Sequence, residues 1–213
     1  MDRNKKIFLI DIDNTIANYS KGLTEFSNRV LRRNSNWKNG IYESERLNLN
    51  IQDPLYESLK EVYRLSGEKL YLEPIEGAKD FIDMVKQHYK ILIWTERPTH
   101  EYPIIKEYTK EWLNKHGFYY DDIIWNRGFN MLKELEIWKD EKEKIGETMS
   151  EYEIYAIDDQ RNKSNTLSNS GIIKEVFLLD WLYNVGEVNG NVHRFKDYLD
   201  LWKYFINKID YEK

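Results

Sequence analysis

The chain has 213 residues, a formal net charge of −5, 41% hydrophobic and 32% charged residues, and no cysteine. This is the composition of a soluble globular protein; it excludes disulfides and thiolate metal sites and argues against a surface built to coat nucleic acid. No apolar run approaches a membrane span, and the four apolar residues after Lys5-Lys6 are too few for a signal peptide, so a cytoplasmic protein without a membrane partner is expected.

The first predicted element is a strand from Lys6 to Asp11, whose core Ile7-Phe8-Leu9-Ile10 reads as a buried parallel strand. Asp11 and Asp13 stand where it ends, with Thr15 two residues further on. From Tyr19 to about Arg33, Leu23, Phe26, Val30 and Leu31 recur at helical spacing. Asn34 to Gly40 is loop by composition. A second helix is predicted from Pro54 to Leu65, with Leu55, Leu59, Val62 and Tyr63 on one face and Gly67 ending it. Pro74 and Gly77 mark the return to the core, and Ala78 to Gln87 is helical.

Lys90 to Thr95 is a second buried strand that ends in a hydroxyl, and Glu96-Arg97-Pro98 turns the chain. A helix over about Tyr102 to Lys115, a strand at Asp122 to Asn126 and a charged helix over Met131 to Ile145 follow. Glu153 to Ile157 is a fourth strand, running into Asp158-Asp159, and Asn162 to Ser170 is a short helix. Glu175 to Leu179 is a fifth strand, and Gly186 to Asn191 is loop. Between Arg194 and Ile209 the residues Phe195, Tyr198, Leu199, Trp202 and Phe205 form a helical stripe suited to docking on the core. Alternating strands and helices predict an α/β, Rossmann-like parallel sheet of about five strands with helices on both faces.

Strand ends of one parallel sheet converge on one edge, where ligands of such folds bind. Asp11, Asp13, Asp158 and Asp159 would meet there with Thr95. Four carboxylates together repel one another unless a cation lies among them, and an all-oxygen donor set favours Mg²⁺.

The DIDNT stretch, the apolar strand ending in Thr95 and the IDD stretch resemble the haloacid dehalogenase superfamily of aspartate-nucleophile phosphatases. That resemblance implies Asp11 as nucleophile, forming an aspartyl-phosphate, and Asp13 as general acid and then base. It implies Mg²⁺ held by Asp11, the Asp13 backbone carbonyl and Asp158, with Asp159 beside them, and Thr95, with Glu96 and Arg97 of the next turn, at the phosphate. A lysine opposite the nucleophile is also implied, with Lys133, Lys139, Lys142 and Lys144 as candidates. Spacing similar to the phosphatase domain of polynucleotide kinase favours Lys139.

Residues 18–75 then read as a small helical cap inserted after the first strand, with 1–17 and 76–213 as the core domain. Tyr19, the segment from Gly40 to Glu45 and the stretch LEPIEGAKDF from Leu72 to Phe81 resemble the 5'(3')-deoxyribonucleotidases. That likeness implies Tyr19, Ile41 and Tyr42 as walls of a nucleobase site. A planar base stacked on an aromatic ring gains on the order of 1–3 kcal/mol. The expected activity is Mg²⁺-dependent hydrolysis of a nucleoside monophosphate, a deoxynucleotide by the resemblance. The TERP turn and Thr109 to Gly117 look more like polynucleotide 3'-phosphatases, which keeps that activity as the alternative; a catalytically idle binding module of the same fold is the other. The sequence is compatible with a homodimer.

Overall fold

The computed structural model describes residues 5–32 and 54–211. A six-stranded, wholly parallel sheet runs through the molecule. In chain order its strands are β1 (Lys6–Ile10), β2 (Lys90–Thr95), β3 (Asp122–Trp125), β4 (Glu153–Asp158), β5 (Ile173–Leu179) and β6 (Val192–Phe195). Their spatial order is β3-β2-β1-β4-β5-β6, so β1 lies between the strands that end in Thr95 and Asp158. The helices are α1 (Tyr19–Leu31), α2 (Pro54–Leu65), α3 (Ala78–Val85), α4 (Ile104–Lys115), α5 (Met131–Lys144), α6 (Arg161–Asn169) and α7 (Tyr198–Tyr211).

Side chains of a strand alternate between the two faces of its sheet. Phe8 and Ile10 enter one apolar layer with Phe81, Tyr155, Phe177 and Phe205, whereas Ile7 and Leu9 enter the other with Trp94, Leu135, Trp138 and Leu167. Both faces of β1 are covered, which is why its apolar residues run without interruption. The stripe on α7 docks on the first layer: Phe205 is fully buried, 5.5 Å from Phe8 and 5.6 Å from Phe81 between ring centroids. Such a ring contributes about 1.5–3 kcal/mol by burial.

The sheet has one strand more than the predicted five. β6 is short, with only Val192 and Phe195 buried, while His193 and Arg194 are partly exposed. An edge strand of this kind has no continuous apolar run, and Phe195 belongs to it rather than to the helix that starts at Tyr198. The buried faces of α1 and α2 differ only in part from the expected ones, since Leu23, Phe26, Leu59 and Tyr63 are buried as the pattern predicts. Tyr56, Leu59 and Tyr63 point inward, leaving Leu55, Val62 and Val30 exposed, because the tyrosines supply more apolar area than the aliphatic residues beside them.

The stretch that carries α1 and α2 leaves and rejoins the sheet through two adjacent segments. Asn18 N–H donates to the Glu73 carbonyl at 2.9 Å, and Ile75 N–H to the Ile16 carbonyl at 2.8 Å. α1 and α2 meet closely at Gly22, where any β-carbon would strike Leu72 and the Tyr63 hydroxyl.

Candidate active site

β1 aligns Ile10 with Ile93 of β2 and with Ile157 of β4, so Asp11, Thr95 and Asp158 emerge at one edge of the sheet. Asp11 N–H donates to the Ile157 carbonyl at 3.1 Å, which continues the β1–β4 pairing up to the carboxylate. The chain then turns at Asn14, whose φ of 61° lies in the left-handed region that asparagine tolerates. The Asn14 side chain fastens the turn to Ser20 of α1, and Trp181 Nε1 donates to its carbonyl at 2.9 Å.

Asp11, Asp158 and Asp159 are buried, each with a carboxylate oxygen within 4.8 Å of the others'. Lys163, in the first turn of α6, closes the group: Nζ lies 2.8 Å from Asp158 Oδ2, 3.7 Å from Asp11 Oδ1 and 3.6 Å from Glu96 Oε2. Thr15 Oγ1 donates to Asp11 Oδ2 at 3.2 Å, and Gln160 N–H to Asp158 Oδ1 at 2.8 Å. Asp159 Oδ2 accepts from the Tyr183 hydroxyl, while Asp159 Oδ1 is buried without a hydrogen-bond partner.

Burial holds Asp11 well above the usual carboxylate range, and Asp158, Asp159 and Asp13 add to it against the attraction of Lys163. Burial, with Asp158 alongside, pushes Asp159 up to about 8. Lys163 is held above its ordinary value, because Asp158, Asp11 and Glu96 outweigh its burial.

Asp13 faces the other way. Arg97 Nε contacts both its carboxylate oxygens at 3.1 and 3.2 Å, Arg97 Nη2 reaches Oδ1 at 2.5 Å, and Lys69 Nζ reaches Oδ2 at 2.9 Å. Burial opposes ionisation of Asp13, but Arg97 and Lys69 prevail and hold it well below the usual carboxylate range. Burial and the neighbouring Arg97 bring Lys69 down to about 7 despite Asp13.

These groups line a cleft of about 260 Å³ between the sheet edge and the helical insertion. A wider cleft of about 490 Å³, reaching from Asn18 to Asp197, contains none of the three clustered aspartates.

No family model matches the chain, and no curated protein does. Solved structures do match. A haloacid dehalogenase-like hydrolase from Streptococcus pneumoniae, SP0104, superposes with a TM-score of 0.62 at 13% identity, over 95% of this chain and 99% of that one. The HAD-hydrolase YfnB from Bacillus subtilis, in a magnesium-bound structure, gives 0.60 at 14% identity, over 94% and 98%. A predicted phosphoglycolate phosphatase from Haemophilus somnus gives 0.59 at 16% identity, over 96% and 100%. The chain has the haloacid dehalogenase fold.

Within that fold the expected residues are only partly assembled. Asp11, Asp158, Asp159 and Thr95 meet at the sheet edge, and Tyr19 lines the cleft. The Asp13 carboxylate is not in the acidic cluster, because Arg97 and Lys69 draw it aside. Arg97, expected at the phosphate, is 3% exposed and divides its guanidinium between Asp13 and Thr109 Oγ1, the latter at 2.9 Å. Glu96 turns its carboxylate to Lys163. Ile41 and Tyr42 lie outside the described residues.

The lysine beside Asp11 is Lys163, where the resemblance favoured Lys139. Lys142, one turn beyond Lys139, pairs at 2.8 Å with Asp122, the residue that begins β3. That half of α5 therefore lies at the opposite edge of the sheet, and Lys139 stands about 12 Å along the helix from Met131. Lys133 pairs with Glu136 at 3.1 Å, and Lys144 is exposed. A signal for Lys163 exists in the sequence: IDDQRNK puts a lysine in the first turn of a helix that must start at the sheet edge where Asp158 emerges. Lys69, Tyr56 and Tyr183 carried no such signal.

The buried oxygen set fits a divalent cation. It has three carboxylates, no softer donor, and an unpartnered inward oxygen on Asp159. Asp11, Asp158 and Asp159 are the residues that would hold it. Mg²⁺ then raises the melting temperature, and the gain grows between pH 6 and pH 9. The sign follows from Asp159: its folded pKa is raised to about 8, so without a cation the stability tied to its proton is full at acidic pH and lost as pH rises through that value. A hundredfold excess of cation over its Kd contributes about 2.7 kcal/mol. Thermal melts in Mg²⁺ and in EDTA at several pH values check this, and a melting temperature indifferent to Mg²⁺ throughout would count against the cation site.

Proposed function

We propose that the protein is a Mg²⁺-dependent phosphomonoesterase acting on nucleotides, nucleoside monophosphates being the simplest substrates. The observation that carries this reading is Lys163 set between Asp11 and Asp158 in the wall of the cleft, 3.7 and 2.8 Å away. A lysine there keeps Asp11 near an incoming phosphate while offsetting the repulsion between two anions. A bound Mg²⁺ would supply further positive charge for that approach.

In the first step Asp11 Oδ attacks phosphorus, the bond from phosphorus to the ester oxygen breaks, and the leaving oxygen takes a proton. In the second step a water attacks the aspartyl-phosphate, releasing inorganic phosphate and restoring Asp11. Thr95, 2% exposed and lining the cleft, donates to the phosphoryl oxygens. Asp13 passes the protons. Held as a carboxylate, it accepts one from the water, and Lys69, 2.9 Å from it and brought down to about 7, supplies the one that the leaving group needs and regains it from Asp13 after the second step.

Tyr19 supports the nucleotide assignment: it lines the cleft, with Lys69 Nζ 4.7 Å from its ring centroid on the way to Asp13. Purified protein with Mg²⁺ should release phosphate from p-nitrophenyl phosphate and from nucleoside monophosphates. No release from either would sink the phosphatase reading. Tyr19→Ala should lower kcat/KM for nucleotides by roughly tenfold or more, in line with one lost stacking contact, and affect p-nitrophenyl phosphate far less. Equal losses on both would remove the base-stacking role.

A further inference from the structure

The walls of the cleft differ in charge. Its acids, Asp11, Asp13, Glu96 and Asp159, all belong to the segments at the strand ends. The wall contributed by the insertion consists, among the described residues, of Tyr19, Tyr56, Lys60, Arg64 and Lys69: three cations, two aromatic rings and no carboxylate. Lys69 is committed to Asp13. Lys60 lies 5.0 Å over the Tyr56 ring, anchored at 2.9 Å to Glu57, which does not line the cleft. Arg64 is half-buried in the wall and makes no ion pair among the described residues.

On the phosphomonoesterase reading the transferred phosphate has its own partners at the sheet edge, namely Lys163, Thr95 and the cation that the acidic cluster would hold. The cations across the cleft therefore face whatever leaves. A nucleoside leaving group is neutral and gives Arg64 nothing to pair with. A leaving group with a second phosphate does, and a guanidinium binds phosphate oxygens through two parallel hydrogen bonds.

We infer that the insertion wall is a second anion subsite, with Arg64 and Lys60 as its specificity-determining residues, and that the preferred substrate is a small nucleotide carrying two phosphate groups, one cleaved at Asp11 and the other held under the helical insertion. A cleft of about 260 Å³ and a net charge of −5 favour a small molecule over a polymer. This inference rests on the phosphomonoesterase reading but makes a separate claim about the leaving group.

The test pairs turnover with binding. With Mg²⁺, kcat/KM for deoxythymidine 3',5'-bisphosphate is expected to exceed that for deoxythymidine 5'-monophosphate by roughly ten- to hundredfold, the range for hydrogen bonds to a charged group. Arg64→Gln removes most of that advantage, through KM, and lowers turnover of p-nitrophenyl phosphate much less. In parallel, calorimetric titration of the Asp11→Asn protein is expected to show the bisphosphate binding at least tenfold tighter than the monophosphate, with Arg64→Gln erasing the difference. Equal kcat/KM and equal affinity for the two nucleotides would overturn the subsite, even with the phosphatase reading intact. So would an equal loss on all substrates in Arg64→Gln. A 3'-phosphorylated oligonucleotide cleaved faster than the bisphosphate would overturn the small-molecule assignment. Tight, Arg64-dependent binding of the bisphosphate without phosphate release from any substrate would uphold the subsite and sink the phosphatase reading alone.

Discussion

Asp11→Asn is expected to lower phosphate release by about 10⁴-fold or more, the scale of losing a covalent nucleophile. The fold survives, and in EDTA the variant melts at a higher temperature than the parent. The second outcome follows from the environment of the residue. Burial, Asp158, Asp159 and Asp13 all disfavour a charge on Asp11, and Lys163 offsets them only in part. A group whose folded pKa is raised lends stability below its ordinary pKa and opposes folding once pH passes the folded value, so a neutral amide of the same shape relieves the strain. Lys163 keeps its 2.8 Å contact with Asp158 in the variant and is not left unpaired. Turnover assays and melts in EDTA and Mg²⁺ decide the matter. Retained activity would remove Asp11 as nucleophile, whereas a collapse of the fold would mean that its carboxylate has a structural task that the geometry does not reveal.

Lys163→Met is expected to lower turnover by about 10²- to 10³-fold, comparable to the loss of one preorganised donor to a developing charge. It should also destabilise the protein by about 3 kcal/mol, because Asp158, fully buried, loses its ion-pair partner. Lys139→Met, in the helix that ends at the opposite edge of the sheet, should change turnover by less than about twofold and stability by no more than about 0.5 kcal/mol. Measured together under one set of conditions, the two variants separate the lysines cleanly. An inactive Lys139→Met enzyme with a near-normal Lys163→Met enzyme would reverse the assignment.

Much of the architecture was legible in the chain. Four apolar residues before Asp11, four before Thr95 and a similar run before Asp158 are what central strands require when both faces are covered. Parallel alternation with helices then places all their ends on one edge. β6 was not legible, since an edge strand with His193 and Arg194 half in solvent has no run of apolar residues. The inward faces of α1 and α2 were misjudged in part, for a related reason: tyrosine is apolar in area and polar at its tip, so pattern alone does not say whether Tyr56 or Leu55 goes inside.

The site divides along the same line. Acidic residues at strand ends follow from local sequence, and so does their need for a cation, because repulsion among buried carboxylates is independent of the rest of the chain. What each carboxylate faces does not follow. Asp13 meets Lys69, 56 positions away, and Arg97, 84 positions away. The Lys69 contact exists because the stretch that carries α1 and α2 folds back over the edge of the sheet, and the Arg97 contact because β2 runs beside β1; together they hold the Asp13 carboxylate as an anion outside the acidic cluster. Lys163 lay five positions beyond Asp158 all along, but only the start of α6 against the sheet edge aims it at Asp11. The sequence by itself determined the central strands, the place of Asp11 and the acidic cluster, through burial and strand-end convergence. Only the tertiary structure decided which cations meet them, because long side chains on separate elements acquire partners through the distances between those elements.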